Sequence, residues 1–387
     1  MYKIQTLNNI SVVGLEKLPR DKYEVASEIQ HPDGILLRSF KMHDMGIPDS
    51  LLAVGRAGAG VNNIPVNRMS EFGIPVFNAP GANANAVKEL VVAGMLLACR
   101  NICQGWSYAT SLEGDDQAIH KQVESGKKNY VGFELPGRTL GVVGLGAIGV
   151  QVANVALKLG MRVIGFDPEI TVQSAWKLSS EVKQARSMDD LLAKVDFVSF
   201  HVPLVEATRN IINHERLKMM KSGAVILNFS REGIVDEQAV CDAIETGKVY
   251  AYVCDHANNL IKNNDRIITL PHLGASTQEA EDNCAVMVAN QIKDYLENGN
   301  IVNSVNFPEV VMPRTEGYRI GVANSNVPNM VGQISTAMAN AGLNIVDLLN
   351  KSQGNVAYTL ADVDKPLPDE VVNQISRVEG VLKVRVI

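Results

Sequence analysis

The sequence has little that would direct the protein to nucleic acid or to a membrane. Among its 387 residues, 36 Lys and Arg stand against 42 Asp and Glu, so the net charge is −6, and the basic residues form no long run. These features exclude nucleic acid and anionic lipid as partners of the surface as a whole. The longest apolar stretch, residues 90–98, is far too short to cross a bilayer. Residues 1–6 lack the basic-then-apolar pattern of a signal peptide, so we expect a cytoplasmic protein.

Cysteine is also too sparse for a disulfide framework or a cysteine metal site. There are five cysteines, an odd number, and only Cys99 and Cys103 lie close in sequence, on a predicted helix. No second pair has the spacing of metal ligands. We therefore predict reduced, buried thiols and no bound metal.

An apolar strand, a tight glycine turn and the start of a helix are predicted at residues 139–149. Gly144 permits the turn, Gly146 lets the backbone approach a pyrophosphate, and Gly149 lets the helix pack closely on the strand. This pattern is typical of the dinucleotide-binding βαβ unit, and it predicts a cofactor site at the start of the helix.

Two features around this turn specify the cofactor. The backbone N–H groups of Ala147 and Ile148 open the helix, where its positive dipole end favours phosphate. A second apolar strand, residues 161–166, is followed directly by Asp167. A carboxylate there accepts hydrogen bonds from both ribose hydroxyls and repels a 2′-phosphate, so we predict NAD rather than NADP.

Strands and helices alternate through the middle of the chain, as in a doubly wound parallel sheet. The predicted elements are strands at 197–202, 224–229, 250–254 and 267–270 and a helix at 237–245. Short strands at 35–38, 51–55 and 74–78 predict a second α/β domain, and a long helix is predicted at 277–296. The length agrees with two or three domains.

The alternation of strands and helices is interrupted at residues 307–317, and a different order of elements follows. The order beyond it is strand, helix, strand, strand, helix, strand, at 319–323, 330–341, 343–349, 356–361, 371–378 and 381–387. This βαββαβ order in about 70 residues predicts a small ferredoxin-like domain. A unit of that size is marginal alone, so we expect it to pair with a second copy.

Three side chains that could bind an anionic substrate or move its proton follow predicted strands. Arg231 comes directly after the strand at 224–229, and a guanidinium there can bind a carboxylate and a neighbouring oxygen in two-pronged fashion. His272 follows the strand at 267–270, and imidazole can move a proton near neutral pH. Arg56 opens a glycine-rich loop whose successive N–H groups can cradle an anion.

With these residues identified, the chain resembles the NAD-dependent D-2-hydroxyacid dehydrogenases, most closely those that carry a C-terminal ACT domain. The motifs that carry the resemblance span nearly the whole chain and lie at 54–60, 78–80, 139–149, 228–236 and 270–277. The resemblance implies two Rossmann-like domains followed by the ferredoxin-like ACT domain. The first, substrate-binding domain is discontinuous, at 1–98 and 281–312, the NAD domain is inserted at 99–280, and the ACT domain covers 317–387.

The resemblance also implies roles for residues and an activity. Arg231 binds the substrate carboxylate and polarises the carbonyl, and His272 takes the hydroxyl proton. The substrate-side residues would be Arg56, Ala57, Gly58 and Asn83. The cofactor contacts beyond the glycine turn would be Val202, Pro203, Phe229, Ser230, Asp255 and Ala275. The implied reaction is the oxidation of D-3-phosphoglycerate to 3-phosphohydroxypyruvate, with another 2-hydroxy acid as substrate, or a non-catalytic NAD or amino-acid sensor, as the alternatives.

One departure from the family concerns the acid that holds the catalytic histidine. By register from Arg231, the family's glutamate falls at or near Leu260, and residues 256–264 contain no acid. Three alternatives are open: Asp265 substitutes, a carboxylate comes from elsewhere, or His272 works without one.

The C-terminal loop departs from the family as well. The resemblance implies an L-serine site built from Asn324, Asn326 and Asn344, but Asn324 stands where serine-regulated relatives carry histidine, and Asn329 replaces a glycine. Amide side chains can bind both the amine and the carboxylate of an amino acid. Feedback regulation and a purely structural role both remain open, and a homodimer or homotetramer is expected.

Overall fold

The computed structural model describes residues 1–387, which form sixteen strands and thirteen α-helices. The elements before residue 83 are β1 (Tyr2–Leu7), α1 (Val12–Leu15), β2 (Tyr23–Ala26), β3 (Gly34–Leu37), β4 (Ala53–Arg56), α2 (Val66–Glu71) and β5 (Val76–Phe77). Those of residues 83–277 are α3 (Ala84–Cys99), α4 (Ile102–Thr110), α5 (Asp116–Gly126), β6 (Thr139–Val143), α6 (Ala147–Lys158), β7 (Arg162–Phe166), α7 (Val172–Lys177), β8 (Lys183–Gln184), α8 (Met188–Leu192), β9 (Phe197–Phe200), α9 (His214–Met219), β10 (Ala224–Asn228), α10 (Glu237–Glu245), β11 (Val249–Cys254) and β12 (Ile267–Thr269). The remainder are α11 (Gln278–Asn298), β13 (Tyr318–Ser325), α12 (Met330–Asn340), β14 (Ile345–Gln353), β15 (Val356–Val363), α13 (Asp369–Ser376) and β16 (Val381–Val386).

The chain divides into two compact units. The central unit contains residues 83–277, and the outer unit contains residues 1–82 together with 278–387. None of the helices combines the length and the apolar character that crossing a bilayer requires.

The central unit is built on one seven-stranded sheet. Its strand order is β12-β11-β10-β9-β6-β7-β8, and every pair is parallel. One face packs against α3 and α6, and the other against α8, α9 and α10. Both faces are therefore covered, which is why these strands read as continuous apolar runs. The predicted doubly wound sheet is confirmed, and the carboxyl ends of its strands share one edge.

Helix α3 is the point at which the domain boundaries differ from those predicted. The prediction assigned residues up to 98 to the first domain, whereas the structure places α3 in the central unit. Val87, Val91 and Met95 are buried in one hydrophobic cluster with residues of α6 and of the central sheet. The apolar run at 90–98 is therefore a core helix of the central unit, and the division falls at Asn83.

The first part of the outer unit is a five-stranded parallel sheet. Its order is β2-β1-β3-β4-β5, and the long helix α11 packs against it through Cys284, Val288 and Ile292. The predicted strands in this region are present. The sequence pattern did not reveal β1 and β2, because their burial is mixed rather than alternating.

The C-terminal module, residues 318–386, has the predicted βαββαβ order. Its antiparallel sheet runs β14-β15-β13-β16, and α12 and α13 cover one face. The other face contributes Ala323, Tyr358 and Leu360 to the same hydrophobic cluster as Tyr295 and Leu296 of α11. The module and the first sheet thus share a core within the outer unit.

A buried arginine joins the module to the end of α11. Arg319 is 0% exposed, and its Nε and Nη2 donate to the carboxylate of Asp362 at 2.6 and 2.8 Å. Its Nη1 and Nη2 also donate to the main-chain oxygens of Asn298, Met312 and Pro313 at 2.7–3.0 Å. The cation therefore satisfies carbonyls at the carboxyl end of α11 and in the chain that leaves it, where positive charge is favoured.

Candidate active site

The glycine turn of the central unit has the geometry that its sequence predicts. Gly144 has φ +85°, and a Cβ atom there would lie 2.5 Å from the main-chain oxygen of His201. A Cβ on Gly149 would collide with the oxygen of Gly144, whereas one on Gly146 would meet nothing within 4 Å. Gly144 and Gly149 are therefore required for packing, and Gly146 faces open space.

The start of α6 is open to an anion. Gly146 is the N-cap residue, and no side chain caps the helix, whose first residues are Ala147 and Ile148. Asp167 follows β7, and its two carboxylate oxygens accept hydrogen bonds from the main-chain N–H groups of Leu145 (2.7 Å) and Glu169 (2.9 Å). A carboxylate has about four lone-pair sites, so Asp167 retains capacity to accept from hydroxyl groups.

His201 lies directly after β9, beside the predicted cofactor contacts Val202 and Pro203. Its Nε2 lies 2.9 Å from the hydroxyl of Ser199, and its buried Nδ1 has no hydrogen-bond partner. Burial lowers the pKa of His201 to about 3, so the ring is neutral at physiological pH. His201 itself stands at the same sheet edge as the glycine turn, because β9 and β6 are parallel neighbours.

The loop after β10 carries Arg231. Phe229 is buried against Gly94 of α3, and the hydroxyl of Ser230 donates to the oxygen of Phe200 at 2.5 Å. Both predicted cofactor contacts in this loop thus have packing or hydrogen-bond roles within the unit. Arg231 itself is exposed, and its Nη1 donates to the oxygen of Ser230 at 2.7 Å.

The loop after β12 carries His272 in an unusual backbone conformation. Its φ is +58°, in the left-handed region that few non-glycine residues adopt, and its side chain is exposed. Asp255, which follows β11 and is 7% exposed, accepts hydrogen bonds from the N–H groups of Leu273 and Gly274, both at 2.7 Å. Ala275 continues this loop.

No carboxylate is bonded to the His272 ring. Leu260 is 48% exposed, and Asp265 is also exposed. Glu237, the first residue of α10, accepts instead from His256 Nε2 (2.7 Å) and Asn258 Nδ2 (2.5 Å). Neither Asp265 nor Glu237 is bonded to the ring within the central unit, and the choice among the three alternatives stays a prediction.

In the outer unit, Arg56 belongs to a cationic pair that the sequence did not reveal. Its Nε donates to the main-chain oxygen of Arg38 at 3.1 Å, and Arg38 forms an ion pair with Glu281 at 2.7 Å. Arg38 and Arg56 stand at the carboxyl ends of the neighbouring strands β3 and β4. The clue available in the sequence was the position of Arg38 directly after a buried strand.

The loop after Arg56 needs glycine. Gly58 has φ +154°, and a Cβ there would collide with the guanidinium of Arg56. The N–H of Ala57 donates to the oxygen of Leu37 at 2.8 Å. Asn83, the remaining predicted substrate residue, is the first residue of the central unit, and its side chain does not cap α3.

Comparison with known proteins decides the family. Residues 92–276 match the model of the D-isomer specific 2-hydroxyacid dehydrogenase NAD-binding domain. The chain is 32% identical to D-3-phosphoglycerate dehydrogenase of Haemophilus influenzae over 87% of its own length and 81% of that enzyme.

The chain belongs to the D-isomer specific 2-hydroxyacid dehydrogenase family. It is also 35% identical to D-3-phosphoglycerate dehydrogenase of Methanocaldococcus jannaschii over 89% of this chain, although it spans 64% of that enzyme's length. Among solved structures, it is similar to the NAD-bound 3-phosphoglycerate dehydrogenase of Entamoeba histolytica, with a TM-score of 0.61 and 26% identity over 79% of this chain and 98% of that one.

The family model that the chain matches is an NAD-binding domain, and the residues of the central unit fit that cofactor. The uncapped start of α6 and the open space at Gly146 suit a pyrophosphate, and the Asp167 carboxylate suits a ribose diol. The nitrogen of His201 without a partner adds a polar atom at the same edge. The predictions of family, fold class and cofactor are therefore confirmed.

Removing the Asp167 carboxylate is expected to relax the choice of cofactor. We expect Asp167→Ser to weaken NAD binding about tenfold, a loss of about 1.4 kcal/mol, and to improve NADP binding, because a charge that repels a 2′-phosphate is gone. Fluorescence titration with NADH and NADPH measures both constants, with Glu169→Ser, at a neighbouring exposed position, as the control. Unchanged selectivity would contradict the assignment.

Proposed function

We propose that the protein oxidises D-3-phosphoglycerate to 3-phosphohydroxypyruvate with NAD as the acceptor, the first step of the phosphorylated route to L-serine. The observation that carries the proposal is the match to enzymes of this name over 87–89% of the chain, with Arg231 and His272 present in their motifs.

The acid-binding and proton-transfer groups belong to the central unit. We assign Arg231 to the substrate carboxylate and the adjacent oxygen on C2, because its exposed guanidinium can form two parallel hydrogen bonds with them. We assign His272 to the proton of the C2 hydroxyl, because its ring makes no hydrogen bond within the unit and is free to accept it. When bound, NAD supplies the acceptor for the hydride that leaves C2. Removal of one proton and one hydride converts the alcohol to the 2-oxo acid.

The phosphate preference is assigned to the outer unit. Arg38 and Arg56 place two guanidinium groups at adjacent strand ends. Arg38 is paired with Glu281. Taken by itself, such a pair of guanidinium groups favours a phosphate group over an uncharged hydroxyl.

A panel of acids tests the substrate. Purified protein with NAD is offered D-3-phosphoglycerate, D-glycerate, D-lactate and D-2-hydroxyglutarate, and NADH absorbance is followed. We expect kcat/KM to be highest for the phosphorylated acid and to fall selectively for it in Arg38→Met. Turnover only of an unphosphorylated acid would replace the named substrate with another of the same family.

One observation favours a second function, that of a non-catalytic NAD sensor. The His272 ring lacks the carboxylate partner that the family's catalytic histidine has, since residue 260 is leucine. In the same assay, NAD binding without turnover of any acid would support the sensor and reject the enzyme.

L-serine regulation through the C-terminal module stays a prediction. Asn324 is 1% exposed, its amide donates to the oxygen of Ser325, and its Oδ1 has no partner. The amide of Asn326 is already engaged with the oxygen of Gly354, and Asn344 is exposed. We therefore expect any serine response to depend on Asn324. Calorimetric titration measures binding to the wild type and to Asn324→Ala; equal binding by both would reject this location. Oligomeric state and cytoplasmic location likewise remain predictions.

A further inference from the structure

Two residues at neighbouring strand ends connect the loops that carry the proposed catalytic groups. Asn228 is the last residue of β10, and Asp255 directly follows β11. The main-chain N–H of Asp255 donates to the oxygen of Asn228 at 3.2 Å. Both side chains are buried, at 1% and 7% exposure.

The side chain of Asn228 holds the loop of Arg231. Its Nδ2 donates to the main-chain oxygen of Arg231 at 3.0 Å, and its Oδ1 accepts from the N–H of Ser230 at 3.2 Å. One buried amide thereby fixes the peptide groups on both sides of the Ser230–Arg231 bond. Nδ2 also lies 3.4 Å from the hydroxyl of Tyr252 on β11, which ties the amide to the next strand.

The side chain of Asp255 holds the loop of His272. Each carboxylate oxygen accepts one short hydrogen bond, from Leu273 and from Gly274. Charge-assisted bonds of this kind are about twice as strong as neutral ones. They fix the two peptide groups that follow His272, the residue whose backbone is left-handed.

We propose that Asn228 and Asp255 are a coupled pair of positioning residues that fix the position of the Arg231 loop relative to the His272 loop. Three sets of hydrogen bonds connect the two loops. The Asn228 amide binds the Arg231 main chain, the Asp255 N–H donates to the main-chain oxygen of Asn228, and the Asp255 carboxylate accepts from the His272 loop. The pair holds His272 through its backbone, by way of the two peptide groups that follow it. The inference rests on the proposed function and adds a role for Asp255 other than a direct contact to the cofactor.

Double-mutant cycles test the inference. We expect Asp255→Asn to lower kcat at least tenfold, because the amide offers an N–H where a carboxylate oxygen accepted one. Asn228→Ala is expected to lower kcat/KM at least tenfold, since the Arg231 peptide loses its donor. In the His272→Asn background, Asp255→Asn should lower kcat by less than a further threefold. In the Arg231→Lys background, Asn228→Ala should lower kcat/KM by less than a further threefold. If Asn228 and Asp255 only stabilised the fold, each substitution would lower activity as much in the mutant background as in the wild type, and that result would overturn the proposal.

Cofactor affinity separates positioning from direct contact. The NAD dissociation constant of Asp255→Asn should stay within about twofold of the wild type; a large increase would return Asp255 to the cofactor site and overturn the inference. The matched control is Asn263→Ala, at an exposed position in the preceding loop, which should retain wild-type turnover.

A readout without cofactor or turnover completes the test. In the NAD-free protein, amide hydrogen exchange in the segment 271–276 should be at least tenfold faster in Asp255→Asn than in the wild type. If that variant does not fold, Asp255→Glu serves instead, because its longer side chain misplaces both acceptors. Unchanged exchange would overturn the inference, whereas a wild type that turns over no acid would reject only the proposed function.

Discussion

Replacing His272 with asparagine is expected to lower kcat about 10²- to 10⁴-fold, the range in which a positioned acid–base group contributes to proton transfer. The left-handed backbone at His272 suits asparagine, one of the few residues that adopt it readily. The substitution therefore removes the imidazole without disturbing the loop that Asp255 holds. Steady-state kinetics with D-3-phosphoglycerate and NAD measures the loss.

The control for this prediction is another exposed histidine. His214, on α9, pairs with Asp242 at 3.0 Å and lies outside every loop assigned to the site. His214→Asn should keep wild-type turnover, and both variants should bind NAD normally. A His272→Asn enzyme that retains more than a tenth of the wild-type kcat would mean that another group takes the proton.

Replacing Arg319 with methionine is expected to cost about 3–5 kcal/mol of the free energy of unfolding of the outer unit. The Arg319–Asp362 pair is 0% and 1% exposed, so the substitution leaves a buried carboxylate without its cation. It also leaves the oxygens of Asn298, Met312 and Pro313 without their donor. Urea unfolding followed by circular dichroism measures the loss.

The chain offers an internal control for this experiment. Both tryptophans, Trp106 and Trp176, lie in the central unit, so tryptophan fluorescence reports the stability of that unit separately. Lys218→Met removes an exposed ion pair with Glu215 and should leave the urea midpoint unchanged. A loss below about 1 kcal/mol in Arg319→Met would contradict a stabilising role for the buried pair.

The same pair predicts the response to acid. Burial raises the pKa of Asp362, but hydrogen bonds from Arg319 and Thr315 and the Arg319 charge outweigh it, so the pKa lies below its ordinary value. A carboxyl with a lowered pKa in the folded state stabilises the protein above its unfolded pKa of about 3.9, and the contribution is lost as pH falls through the folded value. This acid-dependent component should be absent in Asp362→Asn.

The sequence predicted the elements whose signal is local. The run from Thr139 to Gly149 specifies a strand, a turn and a helix through glycine chemistry alone, and the structure has all three. The βαββαβ order of the C-terminal module followed from period and turn signals in the same way. Arg231 and His272 were predicted by their place directly after buried strands, and the structure puts both at one sheet edge.

The features that could not be predicted depend on contacts between distant segments. Helix α3 ends at Cys99, 40 residues before the strand of the glycine turn begins at Thr139, and only its packing against α6 places it in the central unit. Arg319 has the sequence signal of an ordinary charged residue in a strand, yet three separate segments form hydrogen bonds with its buried guanidinium. The engagement of Asp255 with the His272 loop joins residues 18 and 19 apart, which no local pattern specifies.

Transfer of deuterium from C2 of the substrate tests the central claim most directly. D-3-phosphoglycerate labelled with deuterium at C2 is incubated with the protein and NAD, with hydrazine present to trap the 2-oxo acid, and the nicotinamide is examined by NMR. We predict deuterium on the reduced nicotinamide ring in the wild type, and a rate of labelling about 10²- to 10⁴-fold lower in His272→Asn. Label that stays on the phosphoglycerate, or that passes to water, would contradict hydride transfer by this protein.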